Sequence, residues 1–177
     1  MKGDQRNPHP PENLLKFMSI NVGRGGVTHE IALSRACELQ IDVLLIQEPW
    51  WSGSTKSHPY FDRHLPHSDM GNRPRTVTYT RIDRKNIHAS QEFPLSIPTG
   101  DYCWVVVNGI TFLNVYKAPQ DATVVETLLK WSPPMNSIAV GDFNSLHWAW
   151  QLALQFCMDK EKIRSVGLKH ISFLVSS

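Results

Sequence analysis

The feature that most constrains this sequence lies between residues 14 and 48, where two apolar runs flank a glycine-broken turn and a helical stripe. Leu14–Val22 puts apolar side chains on both alternating faces, as a strand covered on two sides does. Gly23, Gly25 and Gly26 interrupt it; Thr28 can cap a helix, and Ile31, Ala32, Arg35, Ala36 and Leu39 recur at helical spacing. Ile41–Ile46, apolar but for Asp42, reads as a short buried strand that ends at Gln47-Glu48-Pro49, where proline stops it. Strand, turn, helix and strand in this order form a βαβ-like opening, and the expected fold is a layered α/β one.

The rest of the chain follows the same grammar. Residues 50–75 read as a long surface loop carrying Trp50, Trp51, His58, Tyr60, His64 and His67, and a loop of that length usually has a function. Thr76–Thr80 is a strand by its β-branching. Trp104–Val107 and Ile110–Tyr116 flank Asn108-Gly109, which predicts a hairpin with a type I′ turn. Asp121 can cap a helix with Val124, Leu128 and Trp131 on one face; Pro133-Pro134 ends it, and Ser137–Val140 leads as a strand into Gly141-Asp142-Phe143-Asn144. Residues 1–13 read as a disordered, proline-rich leader, 14–151 as one domain, and 152–177 as an atypical tail with no acidic or histidine motif to complete a site.

Composition narrows the function classes. At 41% hydrophobic and 19% charged residues, the chain is neither disordered nor fibrous. A net charge of +2 selects no partner, but Arg73 to Lys85 holds five basic residues against Asp83 alone. The three cysteines are scattered in apolar runs, which gives no disulfide framework and no zinc spacing, and fits a nuclear or cytoplasmic setting. No apolar run is long enough to span a membrane, so no membrane partner is expected.

Chemistry gathers at strand ends. Asn21, Glu48, Tyr116 and the pair Asp142 and Asn144 each close an apolar run, and layered α/β folds project such residues into a shared crevice. Taken singly, each has an ordinary reading: a turn asparagine, an exposed glutamate, a half-buried tyrosine, an Asx-turn aspartate. Together, carboxylates and carboxamides without a thiol or imidazole cluster make an oxygen-donor set of the kind Mg²⁺ or Mn²⁺ prefers.

Asn21-Val22-Gly23, Val43-Leu44-Leu45-Ile46-Gln47-Glu48-Pro49-Trp50, Asn114-Val115-Tyr116 and Gly141-Asp142-Phe143-Asn144-Ser145 with His147 and Trp150 resemble the endonuclease/exonuclease/phosphatase superfamily. Within it the chain looks most like the apurinic-endonuclease-like domain of non-LTR (LINE-type) retrotransposons. The resemblance implies a DNase I-like α/β sandwich of two facing sheets, a divalent metal (Mg²⁺ or Mn²⁺), and hydrolysis of phosphodiester bonds in DNA. Carried over by position, Glu48 resembles the metal-binding glutamate and Asn21 the asparagine near metal and phosphate. Tyr116 resembles the tyrosine on the scissile phosphate, Asp142 the aspartate that orients water, and Asn144 its phosphate-binding neighbour. Arg73, Arg75 and Arg81 are candidates for holding the nucleic-acid backbone.

Two departures stand out. Gly23 occupies a position that is often acidic or amide in the family, and nothing after Asn144 matches the family's further aspartate and Ser-Asp-His motif. The chain thus resembles the first two-thirds of such a domain with an unrelated tail. That predicts an incomplete second sheet, an uncovered apolar face that favours self-association, and impaired or lost cleavage. Two other readings remain open: a non-catalytic nucleic-acid-binding relic, with Trp50, Trp51 and Tyr60 beside the basic run, and a dinucleotide-binding opening at Gly23-Arg24-Gly25-Gly26, which Thr28 at the fingerprint's last position argues against.

Overall fold

A computed structural model describes residues 15–67, 73–93, 99–121, 123–130, 132–144 and 173–175. The expected leader, Trp131, the His147-x-x-Trp150 motif and all of the atypical tail except 173–175 lie outside these residues.

Two sheets carry the fold. The first contains β1 (Phe17–Asn21), β2 (Val43–Gln47), β4 (Thr76–Arg81) and β3 (Phe61–His64), in that spatial order. The second runs β5 (Ala89–Glu92), β6 (Tyr102–Val107), β7 (Ile110–Tyr116), β8 (Ser137–Asp142) and β9 (Phe173–Val175). Each sheet holds one parallel pair, β1 with β2 and β7 with β8. Helix α1 (Gly26–Glu38) joins the first pair and α2 (Thr123–Lys130) the second. All other pairings are antiparallel.

Strand periodicity builds the layers. On β2, Leu44 and Ile46 pack toward α1 with Ala32, Leu33 and Ala36, while Val43 and Leu45 point the other way. There they meet Cys103, Val105, Val107 and Phe112 of the second sheet and form the core between the sheets. Tyr102, Trp104, Leu113 and Val115 face outward from the second sheet and take Val124 of α2. The order is therefore helix, sheet, sheet, helix, and β2 is apolar from Val43 to Ile46 because both its faces are covered. The Tyr102 hydroxyl donates to the Val124 carbonyl at 2.6 Å, which pins α2 to its sheet.

The α/β expectation holds, with differences in detail. Asn108 and Gly109 have φ of 51° and 79°, the two left-handed residues that a type I′ hairpin turn requires. Helix α1 is capped by Gly25 in extended backbone, with no side-chain cap, so Thr28 lies inside the helix. Its buried stripe is His29, Ala32, Leu33 and Ala36, whereas Ile31 and Leu39 are exposed. The rotation follows from His29, whose ring stands against Tyr79 and accepts the Trp50 N–H. The segment read as a loop over 50–75 contains β3, which buries Phe61 and His64 and exposes Asp62 and Arg63. The β8 edge, expected to lie open, is paired with β9 from Ile138 to Val140. No helix among the described residues is long and apolar enough to cross a membrane.

Candidate functional site

The C-terminal ends of the two parallel pairs meet at one edge of the sandwich. Asn21 ends β1 opposite Gln47, with Glu48 directly beyond β2; Tyr116 ends β7 opposite Asp142, the last residue of β8. Parallel neighbours finish at the same end of a sheet, so two βαβ units facing each other bring four polar termini together.

The Asn21 amide is the hub. Its Nδ2 donates to Asp142 Oδ2 at 2.7 Å and to Glu48 Oε2 at 3.3 Å, so carboxylates from different sheets share one donor. Its Oδ1 accepts the Gly23 N–H at 2.8 Å. That fixes the amide's orientation, because a flip would set two N–H donors face to face. The Tyr116 hydroxyl donates to Glu48 Oε1 at 3.2 Å. Asp142 Oδ1 accepts the Asn144 backbone N–H at 3.0 Å, and Asn144 Nδ2 donates to the Lys117 carbonyl at 2.8 Å. Burial and the neighbouring Glu48 raise the Tyr116 pKa, with Asp142 adding to the effect, so the phenol stays protonated as a donor.

The backbone is set for this arrangement. Glu48 has φ of 47° and Asn144 of 42°, left-handed conformations that cost non-glycine residues about 1–3 kcal/mol and persist only where the surroundings enforce them. The Glu48 N–H donates to the Arg75 carbonyl, and the Glu48 carbonyl accepts the Arg24 N–H at 2.8 Å. The glycine turn therefore clamps the end of β2 rather than cradling a dinucleotide.

Asn21, Glu48, Tyr116, Asp142 and Asn144 converge as the sequence suggested, but Asn21 differs in what it presents. Its amino group faces the carboxylates and its oxygen faces its own turn, the arrangement of a positioning donor rather than of a cation ligand. The three arginines separate. Arg73 is exposed, with Nη2 donating to the Pro49 carbonyl. Arg75 lies over the Tyr116 ring and pairs with the buried Asp101 at 2.9 Å. Arg81 is a correction: its side chain has 0% exposure, and its guanidinium donates to the carbonyls of Ala36, Cys37 and Ile41 and to Asp83. It caps the C-terminus of α1, where a cation complements the helix dipole, and has no face left for a nucleic acid.

Sequence reasoning passed over Arg24, Gln47 and Asn114. Arg24 Nε pairs with Glu48 Oε1 at 3.2 Å. Asn114, fully buried between the sheets, donates to the carbonyls of Ile46 and Val77 and accepts from Gln47 Nε2, which also donates to Ser19. The signal was there: Asn114 is polar, inside an apolar strand, and on the same face as Tyr116 two residues on. His29 is no catalytic base, since it is fully buried, bonded to Trp50 and Tyr79, and lowered to about 4 by burial and then by Lys56.

No family model and no curated protein matches this sequence. Solved structures do match. The endonuclease domain of TRAS1, a telomere-specific non-LTR retrotransposon, superposes with a TM-score of 0.62 at 15% identity over 77% of this chain, which spans 62% of that domain. An AP endonuclease from Archaeoglobus fulgidus superposes with a TM-score of 0.55 at 13% identity, covering 90% of this chain and 86% of that one. With two facing sheets between two helices and the strand-end cluster at their common edge, the chain has the α/β-sandwich fold of the endonuclease/exonuclease/phosphatase superfamily.

Proposed function

We propose that this chain carries a divalent-metal-dependent site for hydrolysing phosphodiester bonds in DNA, with slow cleavage in these 177 residues alone. One observation carries the reading: Glu48 and Asp142, from different sheets, lie within hydrogen-bond reach of the same Asn21 nitrogen, with the Tyr116 hydroxyl on Glu48. The shared sandwich fold supports it, and both similar structures described above are endonucleases.

The donor set fits Mg²⁺ or Mn²⁺. Glu48 is partly open to solvent, and its neighbours offer only oxygen and nitrogen groups. No cluster of three or more His, Cys, Asp or Glu side chains stands together among the described residues, so Glu48 would hold the ion with water completing its shell, which suits Mg²⁺. When bound, the ion supplies Lewis-acid stabilisation of the leaving oxygen. Asp142 is held at both oxygens, by Asn21 and by the Asn144 N–H, so it cannot swing as it accepts a hydrogen bond from the attacking water. Tyr116 turns its proton from Glu48 to a phosphate oxygen, where charge develops. Asn144 acts through Asp142 and the Lys117 carbonyl rather than through phosphate. Arg75, held by Asp101, and Arg73 lie on the β2–β4 side and neutralise phosphates of the substrate backbone.

Slow turnover of these 177 residues by themselves is inferred from the resemblance, whose Ser-Asp-His motif has no counterpart among the residues after Asn144. Among the described residues no imidazole is bonded to the cluster. Conversion of supercoiled plasmid to open circles tests the reading. Trace nicking with Mg²⁺, none with EDTA, and none for Asp142→Asn are expected. Salt-sensitive DNA binding without any nicking would establish the non-catalytic binder in its place, and nicking that survives EDTA would contradict the metal site.

A further inference from the structure

Arg24 is the unexplained charge at this edge. Among the described residues it is the one cation paired with either carboxylate of the cluster, through Nε to Glu48 Oε1, the oxygen that also accepts the Tyr116 hydroxyl. Its side chain is 57% exposed and makes a single contact rather than the two-pronged pairing that makes arginine–carboxylate bonds strong. The pair does not hold the loop in place. Arg24 and Gly23 both adopt left-handed backbone, and the N–H groups of Val22, Arg24 and Gly25 donate to the carbonyls of Gln47, Glu48 and Val22. The backbone thus keeps the guanidinium beside Glu48 whether or not the side chain binds it.

A cation tethered by backbone but weakly bonded through its side chain is suited to exchange. We infer that Arg24 is a built-in competitor of the divalent ion at Glu48: its guanidinium neutralises the carboxylate when no ion is present and must be displaced for an ion to bind. This rests on the metal-site reading above and adds to it a residue that sets how much metal the site requires. The sequence gives the device a simple form, since the turn carries Gly23 and then Arg24, and the added charge is positive. A dication outcompetes a solvent-exposed guanidinium because the exposed pair is worth little, and removing the pair should tighten ion binding only modestly, by about two- to fivefold.

The test is Mn²⁺ binding to the full chain by titration calorimetry, without substrate. Arg24→Ala and Arg24→Gly, the latter matched to the left-handed backbone, are expected to lower the Kd for Mn²⁺ by about two- to fivefold. Arg24→Lys keeps the charge and should stay near wild type. In a Glu48→Gln background, the Arg24 variants should no longer differ from one another. Binding that depends on Glu48 yet is unchanged or weakened in both Arg24→Ala and Arg24→Gly overturns the competitor and leaves the metal site standing. The absence of any Glu48-dependent binding overturns both.

Discussion

Arg75 and Arg81 bracket the same strand and do opposite work. Arg81 is sealed in, with five N–H contacts to carbonyls and a carboxylate and the Phe61 ring 5.1 Å from its guanidinium carbon. Arg75 keeps 39% of its side chain exposed while Asp101 aims it over Tyr116. Burial pushes the Asp101 pKa up, and its bonds to Thr99 and Arg75 pull against that. Removing either arginine therefore reads out differently. Arg81→Ala strips the α1 carbonyls of a buried partner and should cost about 3 kcal/mol in a urea melt. Arg75→Ala leaves the buried Asp101 without its cation and should cost about 1–2 kcal/mol, less than Arg81→Ala, while flattening the log–log salt dependence of DNA binding by about 0.9, one phosphate contact. An Arg81→Ala chain of normal stability with a flattened slope would reverse the assignment. A linear run of basic residues cannot separate these cases, because exposure is decided by which end of β4 meets the C-terminus of α1.

At the scale of elements, the site is the meeting of two parallel pairs, and their packing is tight where they end. Gly141 pairs with Val115 across β7 and β8, and a Cβ at that position would stand 1.9 Å from the Val115 carbonyl oxygen. The glycine is needed for close approach of backbone to backbone, not for a turn. Gly141→Ala should push β8 away from β7, cost about 2–4 kcal/mol, and displace Asp142 from Asn21, so stability falls together with any nicking. Wild-type stability in this variant would show that the strands are not locked at that register. Much of this level was legible from sequence. β2, the hairpin turn and the strand leading to Asp142 follow from period and turn chemistry. The α1 stripe is misplaced on sequence alone because a buried histidine does not count as apolar, and β3 is not legible because Phe61-Asp62-Arg63-His64 buries its two ends and exposes its middle, with no alternation in its mostly polar letters.

For the whole molecule, the question is what aligns two sheets that share little backbone pairing. Between the sheets the apolar layer is interrupted by Asn114, which links Gln47 of β2, the Ile46 carbonyl and the Val77 carbonyl of β4. Apolar packing resists sliding weakly, whereas this network has one register in which every buried donor and acceptor is matched. It lies just inside the Glu48–Tyr116 contact and holds the two halves of the site at their bonding distance. The strand ends were visible in the sequence one at a time; their convergence depends on the facing of two sheets, which no local pattern encodes. The central claim is that this convergence makes one cation site, and an anomalous difference map at the manganese edge, from crystals soaked in MnCl₂, tests it most directly. The account predicts a single strong peak about 2.1 Å from a Glu48 oxygen, bordered by Asp142 and Tyr116. A peak elsewhere on the molecule, or none at this edge in crystals where Glu48 is free of lattice contacts, would contradict it.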